Sequence, residues 1–169
     1  MEHSLPTADY WIHHLKLHEH PEGGFYRETY RSKENIQPCG LPLRFPAPRS
    51  FSTAIYFLLR SKDRSLFHRI KSDELWHFHA GSALMLYVLH GGTLSEFRLG
   101  NNPENGDSLQ VVIPGTAWFG AKVVSPEGYT LSSCTVAPGF DFKDFELANR
   151  AKLLQEFPNH SAIIEALTL

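Results

Sequence analysis

From residue 50 to 136 the chain reads as one short strand after another with no helix between them, a pattern that leaves few folds open. The strands are expected at 51–59, 67–71, 74–80, 83–90, 93–99, 109–113, 118–124 and 129–136. Turn chemistry separates them: Gly91 with Gly92, a run rich in glycine and asparagine at 100–106, Pro114 with Gly115, and a Ser-Pro-Glu-Gly turn at 125–128. Parallel pairing would need long crossovers between strands, so connections this short imply an antiparallel sandwich or jelly roll. Upstream, 25–31 alternates as a further strand. Pro38, Pro42, Pro46 and Pro48 cannot fill a central strand and make 33–49 a long surface loop.

Helices are expected only at the two ends. Residues 7–17 carry an N-cap at Thr7, an acid in the first turn at Asp9, and a Trp11–Leu15 stripe, with Pro21, Gly23 and Gly24 as the stop. Residues 148–157 form a second helix, stopped by Pro158, and 161–167 a third, with Ser161 as N-cap. At 169 residues the chain is expected to form one domain over 1–169, with a barrel core at about 21–146 and a helical tail at 147–169.

Sixteen basic against eighteen acidic side chains give a net charge of −2, with no basic run to bind a nucleic-acid polymer. Nowhere does an apolar run approach the ~20 residues that span a membrane. Glu2, His3, Asp9, His13, His14 and Lys16 interrupt any signal-peptide core. Cys39 and Cys134 lie far apart and follow no metal or redox spacing, so a reducing cytoplasm is the expected location.

Four runs, at 21–31, 52–59, 68–81 and 137–146, together resemble the Cupin_5 group, the DUF985 proteins within the RmlC-like cupins. The resemblance implies a double-stranded β-helix, the cupin jelly-roll barrel, with short terminal helices and a homodimer. In the first cupin motif two His and a Glu point into the barrel and hold a metal. Here His68, Glu74 and Gly81 keep the register, while Ile70 stands at the second His and Lys62 at the leading Gly. In the second motif Pro114 is kept, Thr116 replaces a Gly, and Phe119 stands at the fourth ligand position.

Two ligands of four would hold a divalent ion weakly, so no cofactor is expected; if a metal binds, His68 and Glu74 are its ligands. Without metal, a His–Glu pair retains acid–base chemistry. Strand alternation puts Glu74, Trp76 and Phe78 on the inner face with His68, and His77 and His79 on the outer one. The metal-free epimerases similar to RmlC add a Tyr acid to a His base. Tyr26, Tyr30 and Tyr56 are the available phenols, and Tyr26 with Glu28 is the favoured inward pair, the alternative being Phe25, Arg27 and Thr29 inward.

The expected site therefore has His68, Glu74 and Tyr26 as catalytic groups, with Glu28, Tyr56, Trp76, Phe78 and Phe119 contacting the ligand. Glu22, before the paired glycines, is read as a local cap, and Phe140, Phe142 and Phe145 as core or mouth. Three functions stay open. One is a metal-independent pocket for a sugar- or nucleotide-like ligand, with binding or epimerase-like chemistry. The second is a metal-dependent dioxygenase or lyase that recruits His77 or His79. The third is a non-catalytic binding cupin.

Overall fold

The structure, a computed structural model, describes residues 6–169. Helix α1 (Ala8–His14) is followed by strands β1 (His18–Glu19), β2 (Phe25–Arg31), β3 (Asn35–Ile36) and β4 (Arg49–Ser50). The continuous strand region holds β5 (Thr53–Arg60), β6 (Ser65–Arg69), β7 (Asp73–Gly81), β8 (Leu84–His90) and β9 (Thr93–Leu99). Strands β10 (Gln110–Ile113), β11 (Trp118–Val123), β12 (Tyr129–Ala137) and β13 (Glu146–Leu147) complete it, before helices α2 (Arg150–Glu156) and α3 (Ser161–Ala166).

All the strand pairs are antiparallel. One sheet runs β1-β2-β5-β12-β7-β10 and the other β13-β6-β11-β8-β9, with β3 and β4 pairing separately. The strand order mixes elements distant in sequence, as a jelly roll requires. The strand succession leaves a sandwich or a jelly roll open, and the jelly-roll barrel that the family resemblance implies is the fold found.

Alternation divides each strand between two cores. In β5, Ile55, Phe57 and Leu59 point between the sheets, where they meet Trp76 of β7, Leu86 of β8 and Phe119 of β11. The intervening Leu58 and Tyr56 face outward, under Trp11 and Ile12 of α1. On the far side, Phe67, Tyr87, Leu89 and Trp118 are covered by Leu153, Phe157, Ile164 and Leu167 of the C-terminal helices. Each side chain of this size that leaves water entirely contributes about 1.5–3 kcal/mol, so the two helical covers stabilise sheet faces that would otherwise be apolar surface.

Boundaries differ from the expectation where turns are tighter than composition reveals. Thr7 does cap α1, accepting from the Tyr10 N–H at 3.2 Å. The helix stops at His14, because Lys16 adopts a left-handed φ of 53° well before Pro21, and the chain re-enters the sheet as β1. Ser161 opens α3 from inside the helix; His160 is the capping position and offers no side-chain bond. Among the described residues, no helix is long and apolar enough to cross a membrane.

Candidate functional site

One end of the space between the sheets is a cavity of about 300 Å³ with one open mouth. His68 of β6, Glu74 and Trp76 of β7, and Tyr26 and Glu28 of β2 all line it. The inward pairing of Tyr26 with Glu28 follows from the β2–β5 register, which sets Tyr26 beside Phe57 and Glu28 beside Ile55. After Glu28 the register slips by a bulge. Tyr30 is thereby thrown outward to 54% exposure, and Arg31 instead turns to the cavity rim. There its guanidinium pairs bidentately with Glu28 at 3.1 and 2.7 Å.

Three expected ligand contacts are not in the cavity. Tyr56 lies on the outer face of β5, edge-on to His79 at 5.9 Å, because its neighbour Phe57 holds the inward position. Phe78 does point between the sheets, but it packs with the core beyond the cavity. Phe119 sits behind His68, with ring centroids 4.1 Å apart, and supports the imidazole without lining the space. His77 and His79 lie outside the barrel as alternation requires. His77 meets Gln110 at 3.3 Å and Thr135 at 3.4 Å on that outer surface.

The partner of His68 is also not the one expected. Its Nε2 lies 3.0 Å from the Glu22 carboxyl, while Glu74 is bonded by the Cys134 thiol. Glu22 reaches the cavity on a turn, not a strand. Gly23 and Gly24 have φ of 110° and 75°, and a Cβ on Gly23 would run into the Arg64 carbonyl. This close approach lets the Leu66 N–H bond the Glu22 carbonyl at 2.9 Å, which seats the turn on β6. The Glu22 side chain then accepts from the Ser65 hydroxyl at 2.7 Å and faces His68 and His20. Reading Glu22 as a local cap missed this, although paired glycines directly after an acid are the one signal that pointed to it.

Hydrogen bonding fixes the tautomer of His68. Nδ1 lies 2.7 Å from the Leu66 carbonyl and must donate to it, so a neutral ring presents Nε2 as an acceptor. Burial lowers the pKa of His68 to about 4 and that of His20 to about 3, the latter helped by His68 and His18. Burial and the nearby Glu74 carboxyl push Glu22 well above the ordinary carboxylate range. The proton between them therefore resides on Glu22 and is donated to His68 Nε2. Burial raises Glu74 to about 7, only partly offset by the Cys134 hydrogen bond. The floor thus holds an imidazole and a carboxyl that burial biases toward their uncharged forms, and a second acid that titrates near pH 7.

Aromatic groups enclose this polar floor. Phe57 and Trp76 meet edge to face at 5.3 Å, His20 and Tyr26 at 4.4 Å, and Phe140, Phe142 and Phe145 of the segment after β12 close the mouth. The ligand positions of the cupin pattern are only half filled. Ile70 and Phe119 put hydrocarbon where the cupin pattern has ligands, His77 and His79 are on the wrong side of the sheet, and Glu22 already engages His68 Nε2. Among the described residues, no group of three His, Cys, Asp or Glu side chains is placed to hold an ion.

Comparison with known proteins shows the family and the fold. Residues 9–148 match the Cupin_5 family model, "Cupin superfamily (DUF985)". The "Uncharacterized protein YML079W" of Saccharomyces cerevisiae is 30% identical over 143 residues, 79% of this chain and 71% of that one. A hypothetical protein from Leishmania major superposes with a TM-score of 0.87 at 36% identity, over 96% of this chain and 99% of that one. Protein SO0799 from Shewanella oneidensis does so with a TM-score of 0.88 at 37% identity, over 98% and 99%.

Proposed function

The chain belongs to the Cupin_5 family of the cupin superfamily (DUF985), and from that premise we propose that it is a metal-independent cupin whose barrel binds a ring-sized, sugar- or nucleobase-like molecule and exchanges a proton with it. The observation that carries this reading is the Glu22–His68 contact at 3.0 Å, with the imidazole anchored on the Leu66 carbonyl. The pair can give the Glu22 proton to a bound ligand and take it back. His68 Nε2 accepts a proton only once a ligand displaces that hydrogen bond, and Glu74, ionised above about pH 7, is the base at the same floor. Tyr26, on the sheet opposite His68, lines the same space and is the candidate second proton carrier. The cavity volume lies at the small end of the ~300–1,000 Å³ typical of ligand pockets and suits one ring with its substituents. The walls of Phe57, Trp76 and Phe140 favour a flat ring or an apolar sugar face.

The test is proton exchange. Chelator-treated protein is incubated in D₂O with keto-sugars and nucleobases, and loss of carbon-bound hydrogens next to a carbonyl is followed by ¹H NMR. Wash-out by the wild type that falls at least about a hundredfold in His68→Ala and Glu22→Gln is the expected result, the usual scale of an acid–base contribution. Saturable binding without exchange would reduce the reading to a binding cupin. Exchange only after adding iron, manganese, nickel or zinc would replace it by metal chemistry.

A further inference from the structure

Among the described residues, Glu74 faces the cavity without a Lys or Arg partner. Its side chain is 93% buried (7% exposed), and its bonded neighbour is a thiol. Arg31 is the one Lys or Arg that lines the space among the described residues, and it is already held at the rim by Glu28. An acid so placed has acceptor capacity turned toward whatever enters. Two carboxyls at the floor and no free basic group disfavour a phosphate or carboxylate there. The aromatic faces of Tyr26, Phe57, Trp76, Phe140 and Phe142 are electron-rich and favour a positive or N–H-rich ring.

We propose that the ligand presents a planar edge with two parallel N–H donors, of the amidine type, to the Glu74 carboxylate while its ring lies against the aromatic walls. This rests on the pocket reading above and narrows it to nitrogen-bearing rings. A carboxylate matches such an edge bidentately, and the charge-assisted pair gains strength where water is excluded. Glu22 cannot fill this role, because its two oxygens are engaged by Ser65 and His68. Glu28 cannot either, being committed to Arg31.

Three probes of one shape and different charge decide the matter: benzamidinium, benzamide and benzoate. Each is titrated into the full chain at pH 8, above the Glu74 pKa of about 7, with the methyl NMR signals of Ile55, Ile70 and Val136 as cavity reporters. Benzamidinium is expected to bind at least about tenfold more tightly than benzamide, and benzoate to leave the reporters unmoved. Glu74→Gln should bring benzamidinium to the level of benzamide. Benzamide or benzoate binding as tightly as benzamidinium would overturn the inference and leave the pocket reading standing. So would a Glu74→Gln chain that keeps the preference. Reporters that move with none of the three would also overturn it, while proton exchange in D₂O would still judge the pocket by itself. The ranking in the wild type needs no variant, so a Glu74→Gln chain that fails to fold does not remove the test.

Discussion

Glu74 gains nothing from its ionised form in the folded protein, and this has a consequence for stability. Its folded pKa of about 7 exceeds the ordinary 4.5, so its contribution is fully present below about pH 4.5 and is lost as the pH rises toward 7. A displacement of that size corresponds to at most about 3 kcal/mol. His68 and His20 act in the opposite sense: their contribution is present above pH 6.5 and lost as the pH falls toward 4 and 3. Glu74→Gln removes only the first effect. The variant should be more stable than wild type by about 1–3 kcal/mol at pH 8 and by clearly less at pH 5, measured by urea denaturation. An equal difference at both pH values would show that Glu74 is not held neutral. Alternation within a strand made His68, Glu74 and Trp76 legible from sequence, and correctly excluded His77 and His79. It could not find Glu22 or His20, because residues outside a long strand have no face that can be counted. It could not separate Tyr30 from Tyr26, because a bulge resets the count without leaving a mark in composition.

At the scale of elements, the mouth of the cavity is held by charge. Arg49 of β4 and Asp144, in the turn that carries Phe142 and Phe145, form a bidentate pair at 2.6 and 2.7 Å, and both side chains are nearly inaccessible. Lys71 joins at 3.2 Å, and Arg44 bonds the Lys71 carbonyl at 2.8 Å. Burial opposes ionisation of Asp144, but Arg49 and Lys71 outweigh it and hold its carboxyl below the usual range. The proline-rich 33–49 segment thus braces the mouth from its C-terminal end. Asp144→Asn leaves Arg49 buried without its counter-charge and should cost about 3–5 kcal/mol in urea unfolding, and it should weaken binding of any ligand that the Phe140–Phe145 segment covers. A loss below about 1 kcal/mol would mean that the turn stands without the pair. The strands themselves were readable because glycine and proline turns mark their ends. The brace was not, since Arg49 and Asp144 are 95 residues apart and nothing local couples them.

At the scale of the whole molecule, the two sheets end in terminal strands, β9 and β10 among them. Strand β10 ends the six-stranded sheet, with Val112 half exposed and Leu109 beside it 66% exposed. An apolar edge of this kind invites a second strand, and a two-fold pair of chains closes it with the least surface. Sedimentation velocity at about 10 μM should give twice the 19.2 kDa chain mass, and Leu109→Asp with Val112→Asp should return a monomer. A monomeric wild type would remove the dimer that the family resemblance implies. The jelly roll as a whole was legible because helix-free strand succession permits few other solutions. Which strands end the sheets was not, because strand order in space depends on pairings between β7 and β10, or β5 and β12, that sequence neighbours do not specify.

The turn that delivers Glu22 also sets a timetable. Its seat consists of Ser65 and Leu66 on β6, and β6 is held in its sheet by β11, which ends at Val123. During synthesis Glu22 emerges about a hundred residues before that sheet can exist. An acid made about a hundred residues ahead of β11 thus waits for that sheet before it can take its place.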